Sequence, residues 1–114
     1  SRAKIIVDPG IGFGKTISHN LLLIKHLQTF TRLDLPILIG TSRKAFSRKI
    51  LKDPQAQDIR PDLPIVENGT QATVAAAILN GAHIVRVHDV SNTIATVKIL
   101  DALMNVKDSE GIGN

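Results

Sequence analysis

The chain has 114 residues, a formal charge of +4 and 43% hydrophobic residues, with no Cys, Trp or Tyr. This balance is that of an ordinary soluble globular domain; it excludes a disulfide scaffold and a thiolate metal site, and the apolar runs are too short to span a bilayer. With no cysteine and no secretory signal, the sequence predicts a cytoplasmic protein.

Residues 4–8 (KIIVD) form a short apolar run that ends in a carboxylate before Pro9-Gly10, which predicts a buried strand leading into a loop. The loop, DPGIGFGKT over 8–16, imitates a phosphate-binding sequence. A Walker A loop, however, needs glycine where this chain has Pro9, and proline has no N–H to offer a phosphate. The dinucleotide fingerprint fails too, because its third glycine position holds Lys15. The three alternating glycines need another purpose. Ser18 is the predicted N-cap of a helix through residue 33, in which Leu23, Leu27 and Phe30 recur at helical spacing. Residues 35–40 (LPILIG) read as a second buried strand and 43–51 as a short helix. Residues 52–68 hold three of the five prolines and read as a long loop. Thr70 is the predicted cap of an Ala-rich helix closed by Gly81, where helices favour glycine. Residues 83–90 (HIVRVHDV) read as a third strand. Ser91 is the predicted cap of a last helix with Ile94, Val97, Leu100 and Met104 as its apolar stripe, and residues 108–114 read as a frayed tail.

The first two strands are apolar on both faces, the pattern of parallel strands covered by helices. Three parallel strands are few for such a fold. The sequence therefore reads as the C-terminal portion of a larger α/β protein, with a complete three-stranded α/β domain as the alternative. Five of the 14 basic residues fall between Arg43 and Lys52. A single aromatic residue, Phe46, falls among them, so they read as a solvated helix face and not as a nucleic-acid stripe.

Polar residues gather at the C-terminal ends of all three strands, where parallel α/β folds collect their chemistry. Asp8 ends the first strand, Thr41, Ser42, Arg43 and Lys44 follow the second, and Arg86 and His88 share one face of the third. Each has an ordinary reading: Asp8 as a turn-forming cap, Lys44 as a first-turn surface lysine, His88 as a histidine satisfied by its neighbours. Arg86 is harder to explain, because an arginine inside an apolar strand needs a partner to offset its desolvation. Their recurrence at one end of successive strands favours a site. Arg86 and His88 suit a phosphate or pyrophosphate. Asp8 suits the N–H edge of a pterin or guanine, and Lys44 a ring carbonyl. The glycines would let the backbone pass close to a planar ligand and place Phe13 over it. The residues alone imply an anionic heterocycle site.

The runs 8–15 (DPGIGFGK) with Asn20 downstream, 40–44 (GTSRK) and 86–90 (RVHDV) together resemble the dihydropteroate synthase family. Gly69-Thr70 before the Ala-rich helix fits as well. The resemblance covers nearly the whole chain and implies the last three strand–helix units of a (β/α)₈ TIM barrel. It implies the joining of 6-hydroxymethyl-7,8-dihydropterin pyrophosphate to p-aminobenzoate, a step of folate biosynthesis blocked by sulfonamides. By position, Asp8 would hold the pterin N–H edge, Lys44 would reach the pterin and the p-aminobenzoate side, and Arg86 would lie against the pterin face. His88 would bind the departing pyrophosphate, Phe13 would line the p-aminobenzoate pocket, and Ser42 would join the substrate-binding set. Arg86, His88 and Lys44 are the expected catalytic residues, and Mg²⁺ the expected cofactor, its ligand lying in the N-terminal part of the barrel and none in this chain. A homodimer through the C-terminal helices is implied too, with Ala72, Ala75 and Ala76 suited to close packing. Two departures qualify the match. Ala45 stands where the family often has Ser beside the p-aminobenzoate carboxylate, and the family's first five strands, with further pterin ligands and two mobile loops, are not in this sequence. The isolated chain is therefore expected to be inactive. Pterin-dependent methyltransferase barrels and a non-catalytic barrel fragment used for binding or dimerisation are the rival readings.

Overall fold

A computed structural model describes residues 5–110. Two short strands, β1 (Leu38–Ile39) and β2 (Ile84–Val85), pair in parallel, with Leu38 opposite Ile84 and Ile39 opposite Val85. The first predicted strand contributes a single parallel bridge, Val7 to Ile37. It is closed by Val7 N–H to the Pro36 carbonyl and Leu38 N–H to the Val7 carbonyl, both 2.8 Å. Lys4 lies outside the described residues. The expected three full strands are thus two strands and a bridge. Segments consecutive in the chain are neighbours in the sheet, each joined to the next by a helical crossover.

Residues paired in a parallel ladder point to the same side. Val7, Ile37, Ile39 and Val85 therefore face the helices, where Ile37 and Ile39 are fully buried with Ile11, Ile24, Leu27, Phe46 and Ala77. Ile6, Leu38, Ile84 and Arg86 face the other way. No helix covers that side among the described residues, and Ile6 is 52% exposed.

Helix α1 (Ile17–Lys25) starts two residues earlier than a cap at Ser18 would allow: Thr16 is the cap, its hydroxyl accepting the His19 N–H at 3.1 Å. The predicted long helix breaks at His26 and continues as a 3₁₀ segment, Leu27–Leu33, closed by Asp34 in the left-handed region. Within it Thr31 donates to the Gln28 carbonyl, the local side-chain bonding by which threonine competes with helix geometry. Helix α2 (Ala45–Leu51) is shorter than predicted because Arg43 adopts φ +57° and Lys44 is extended.

Helix α3 (Pro64–Leu79) begins six residues before the predicted cap. Pro64 occupies the first turn, where its missing N–H has no partner to lose, so the loop ends at residue 63. Thr70 lies inside the helix, fully buried, and its hydroxyl accepts the Arg43 N–H at 3.1 Å. Gly69 lets α2 approach: a Cβ there would stand 2.6 Å from Leu51 Cδ1. Gly81 closes α3 as predicted, at φ +111°, with its N–H and that of Ala82 bonded back to Ile78 and Ala77.

The third predicted strand ends at Val85, and helix α4 (Val90–Asn105) is capped by Asp89, not Ser91: its carboxylate accepts the Asn92 N–H at 2.9 Å. The predicted stripe is not buried as a unit. Leu100 is buried, but Ile94 and Met104 are about half exposed. Gln71 of α3 bonds both Thr93 (3.0 Å) and Thr96 (2.6 Å), so α4 meets α3 through amide and hydroxyl contacts as well as Leu100. Asp108–Glu110 forms a 3₁₀ turn where a frayed tail was expected, and 111–114 lie outside the described residues. Among the described residues no helix is long and apolar enough to cross a membrane.

Candidate functional site

Three loops leave the C-terminal ends of the parallel segments. In the first, Gly10, Gly12 and Gly14 all have positive φ (+77°, +89° and +61°), a conformation that explains why glycine alternates there. Two side chains fix this path. Asn20, 2% exposed, accepts the Gly12 N–H at 2.7 Å and donates to the Thr16 carbonyl at 3.0 Å. Lys15 donates to the carbonyls of Gly10 (2.9 Å) and Phe13 (3.1 Å). The lysine of the apparent phosphate motif therefore holds its own loop. Phe13 stands out from it, 66% exposed.

The second loop carries Thr41 and Ser42, both buried, then Arg43 and Lys44. Thr41 is bonded by Thr73 of α3 (2.8 Å), which ties the loop to its covering helix. Lys44 Nζ lies 4.7 Å from the centroid of the Phe13 ring, within cation–π range, and so joins the second loop to the first. In the third loop, the His88 N–H donates to Ser42 Oγ at 3.2 Å, and His88 Nδ1 lies 2.8 Å from the same oxygen.

Four of the six predicted residues, Ser42, Lys44, Arg86 and His88, line one cleft of about 260 Å³ with Gly40 and Val87. Asp8 and Phe13 do not line it. Phe13 reaches it through Lys44, and Asp8 follows the bridge residue Val7 on the adjoining segment. Asp8 Oδ1 accepts the Gly10 N–H at 2.8 Å, the turn-forming role that its position before Pro-Gly also allowed. A second cleft of about 300 Å³ lies between α1 and α2, with Lys15, Asn20, Arg43, Lys44 and Arg48 among its walls. A more apolar cleft of about 450 Å³ beside α1 contains none of the six predicted residues.

Arg86 is not desolvated within a strand, contrary to what its apolar surroundings in the sequence predict. The strand stops at Val85, and Arg86 is exposed beyond it. Its guanidinium packs over Gly40 and makes no hydrogen bond or ion pair among the described residues. A free guanidinium beside a lysine and an imidazole makes the cleft cationic, suited to an oxyanion ligand. The basic run 43–52 is partly structural: Arg48 bonds both Asp58 oxygens (3.2 and 3.3 Å) and the Arg43 carbonyl, anchoring the long loop. Arg48 is the first cause, and the Ile59 N–H the second, that holds the Asp58 carboxyl below the usual carboxylate range. Among the described residues no three His, Cys, Asp or Glu side chains converge as a metal site.

Sequence reasoning named Asn20, Lys15 and Thr70 without their part in supporting the site, and did not name Thr73. Asn20 left a signal: it falls on the helical face of Ile24 and Leu27, where an apolar residue is expected.

Residues 1–88 match the family described as pterin binding enzyme. The chain is 34% identical over 110 residues to the dihydropteroate synthase of Escherichia coli (strain K12), covering 96% of this chain and 36% of that protein. It is 44% identical over 104 residues to the dihydropteroate synthase of Bacillus subtilis (strain 168), covering 90% and 33%. Among solved structures, Yersinia pestis dihydropteroate synthase superposes with a TM-score of 0.84 at 34% identity, over 93% of this chain and 46% of that one. A dihydropteroate synthase from Coxiella burnetii in complex with pteroic acid gives 0.81 at 35% identity, over 93% and 38%. The chain spans about a third of the length of these curated relatives.

Proposed function

This chain belongs to the pterin-binding enzyme family, and from that premise we propose that it is the C-terminal portion of a dihydropteroate synthase. The observation that carries the reading is the convergence of Ser42, Lys44, Arg86 and His88 in one cleft at the C-terminal ends of paired parallel strands. The sheet supports the barrel assignment: neighbours follow chain order, helices cover one face, and on the other Ile6 and Ile84 are exposed among the described residues.

The proposed reaction breaks the bond between the pterin methylene carbon and the pyrophosphate oxygen. The electron pair leaves with pyrophosphate, the amine of p-aminobenzoate forms the new C–N bond, and that nitrogen loses a proton. Arg86 and His88 donate to the departing oxygens, where negative charge grows. Removing one such donor from a preorganised site lowers the rate by roughly 10²–10³-fold. Lys44 donates to the pterin carbonyl, and the second oxygen of Asp8 accepts from the pterin N–H edge. Phe13 borders the p-aminobenzoate side.

The cleft presents guanidinium, ammonium and imidazole, whereas Mg²⁺ takes oxygen ligands. The described residues do not fit that ion, so we assign any Mg²⁺ to the substrate and to protein outside this chain, and no step is routed through it. We further propose a cytoplasmic enzyme that pairs as a homodimer through α3 and α4, where Leu79 of α3 and Ile94, Ile99, Leu103 and Met104 of α4 are exposed.

The test is to assay this chain alone, and joined to the N-terminal two thirds of the Bacillus subtilis relative, with the pterin pyrophosphate and p-aminobenzoate. The isolated chain should form no dihydropteroate. The joined protein should form it and lose most of the rate in Arg86→Ala and His88→Ala. Activity indifferent to both substitutions would overturn the reading.

A further inference from the structure

We propose that Ser42 is a positioning residue which sets the tautomer and orientation of His88, so that Nε2–H is the group the ring offers to the cleft. The inference deepens the reading of the cleft as the leaving-group subsite and rests on it only for the identity of the anion.

Ser42 is 5% exposed, and its Oγ has one proton and two acceptor lone pairs. The His88 backbone N–H donates to Oγ at 3.2 Å and uses one lone pair. His88 Nδ1 stands 2.8 Å from Oγ. If Nδ1 carried the proton, it would donate to Oγ as well. The hydroxyl hydrogen would then have no acceptor among the described residues, since no other hydrogen bond of Ser42 Oγ occurs there. An unpaired donor in a buried position is costly. If Oγ donates to Nδ1, every group is satisfied: the hydroxyl gives its one hydrogen to the ring and receives one from the backbone. The ring is then neutral, with its proton on Nε2, the one remaining polar atom of the imidazole.

Two bonds from one hydroxyl also fix geometry. The backbone contact places the start of the third loop against the second, and the ring contact fixes the side-chain torsion, so His88 lines the cleft beside Arg86 and Lys44. Neutral Nε2–H is a donor without net charge, while Arg86 and Lys44 supply the charge. In this arrangement a departing oxyanion meets three donors from two neighbouring loops.

The experiment is ¹⁵N-edited NMR of the His88 ring in this chain, as wild type, Ser42→Ala and Ser42→Thr, with inorganic pyrophosphate as the probe ligand. The wild type should show protonated Nε2 and bare Nδ1 at neutral pH. Ser42→Ala should show a mixture of tautomers and bind pyrophosphate roughly fivefold to tenfold more weakly. Ser42→Thr keeps the hydroxyl and should restore both, which separates positioning from a general loss of fold; circular dichroism checks the latter. A wild-type ring protonated at Nδ1, or a tautomer unchanged in Ser42→Ala, would overturn the proposal. A Ser42-dependent tautomer in a chain that binds no pyrophosphate would keep the positioning role and remove the leaving-group reading.

Discussion

The guanidinium of Arg86 rests so closely on Gly40 that a Cβ added there would stand 2.9 Å from Nη2 and 3.3 Å from Nε. Gly40 has no positive φ, so its backbone accepts alanine, and what must move is the far end of one flexible side chain. Gly40→Ala should therefore leave the urea midpoint close to wild type while displacing Arg86 from the cleft. Titration calorimetry with inorganic pyrophosphate should show affinity lower by roughly tenfold, the scale of one charge-assisted hydrogen bond. Unchanged affinity would mean that Arg86 does not serve the anion.

Asn20 supports the first loop from the buried face of α1. Asn20→Ala removes the acceptor of the Gly12 N–H and the donor to the Thr16 carbonyl. A loss of about 1–3 kcal/mol of unfolding free energy is expected, since a partly buried donor loses its partner. Exchange of the Gly12 amide with deuterated solvent should accelerate in the same variant. Protection equal to wild type would show that the loop holds itself.

The Asp58 carboxyl lies below the usual carboxylate range because Arg48, and then the Ile59 N–H, bond its ionised form. A carboxyl depressed in the folded state stabilises the fold above its unfolded pKa, and this contribution is lost as pH falls through the folded value. An NMR titration of the Asp58 carboxyl should place its midpoint below that of an unpaired aspartate, and Arg48→Gln should raise it. In Asp58→Asn, stability should fall less steeply on the acid side than in wild type. The pair is exposed at Asp58, so added salt should shrink the difference.

Two positive-φ glycines should respond differently. Gly14 sits at φ +61° with no neighbour within 4 Å of an added Cβ, a left-handed conformation that asparagine tolerates. Gly14→Asn should melt near wild type. Gly81 sits at φ +111°, and its Cβ would meet Thr31 Cγ2 at 2.9 Å. Gly81→Ala should cost at least about 1–3 kcal/mol, the scale of a residue forced into a sparsely populated region. Equal melting of the two variants would refute the distinction.

The alternation of elements was legible because apolar runs and glycine stops are local signals: α3 ends at Gly81 as its sequence says. Element starts were less legible. Thr70 has the chemistry of a cap, yet Pro64 can open a helix six residues earlier, and only the packing of α3 on the second loop decides that the Thr70 hydroxyl serves Arg43. Ser91 and Asp89 are both good caps; the strand ends at Val85, which leaves Asp89 free to take the role. Within the site, the charged groups were legible from their place at strand ends. The contacts that arrange them were not, because Ser42 meets His88 across 46 residues and no spacing rule reaches that far.

Phe13 stands on its loop with two thirds of its surface in solvent, and Lys44 is the cation over its ring. Little of the fold depends on that ring, whereas the path of its backbone is held by Asn20 and Lys15. A lineage can exchange the side chain without endangering the scaffold, so inheritance can try new shapes at this corner at small risk. Ligand choice and foldability are thus separable here, and selection on one can proceed without passing through the other.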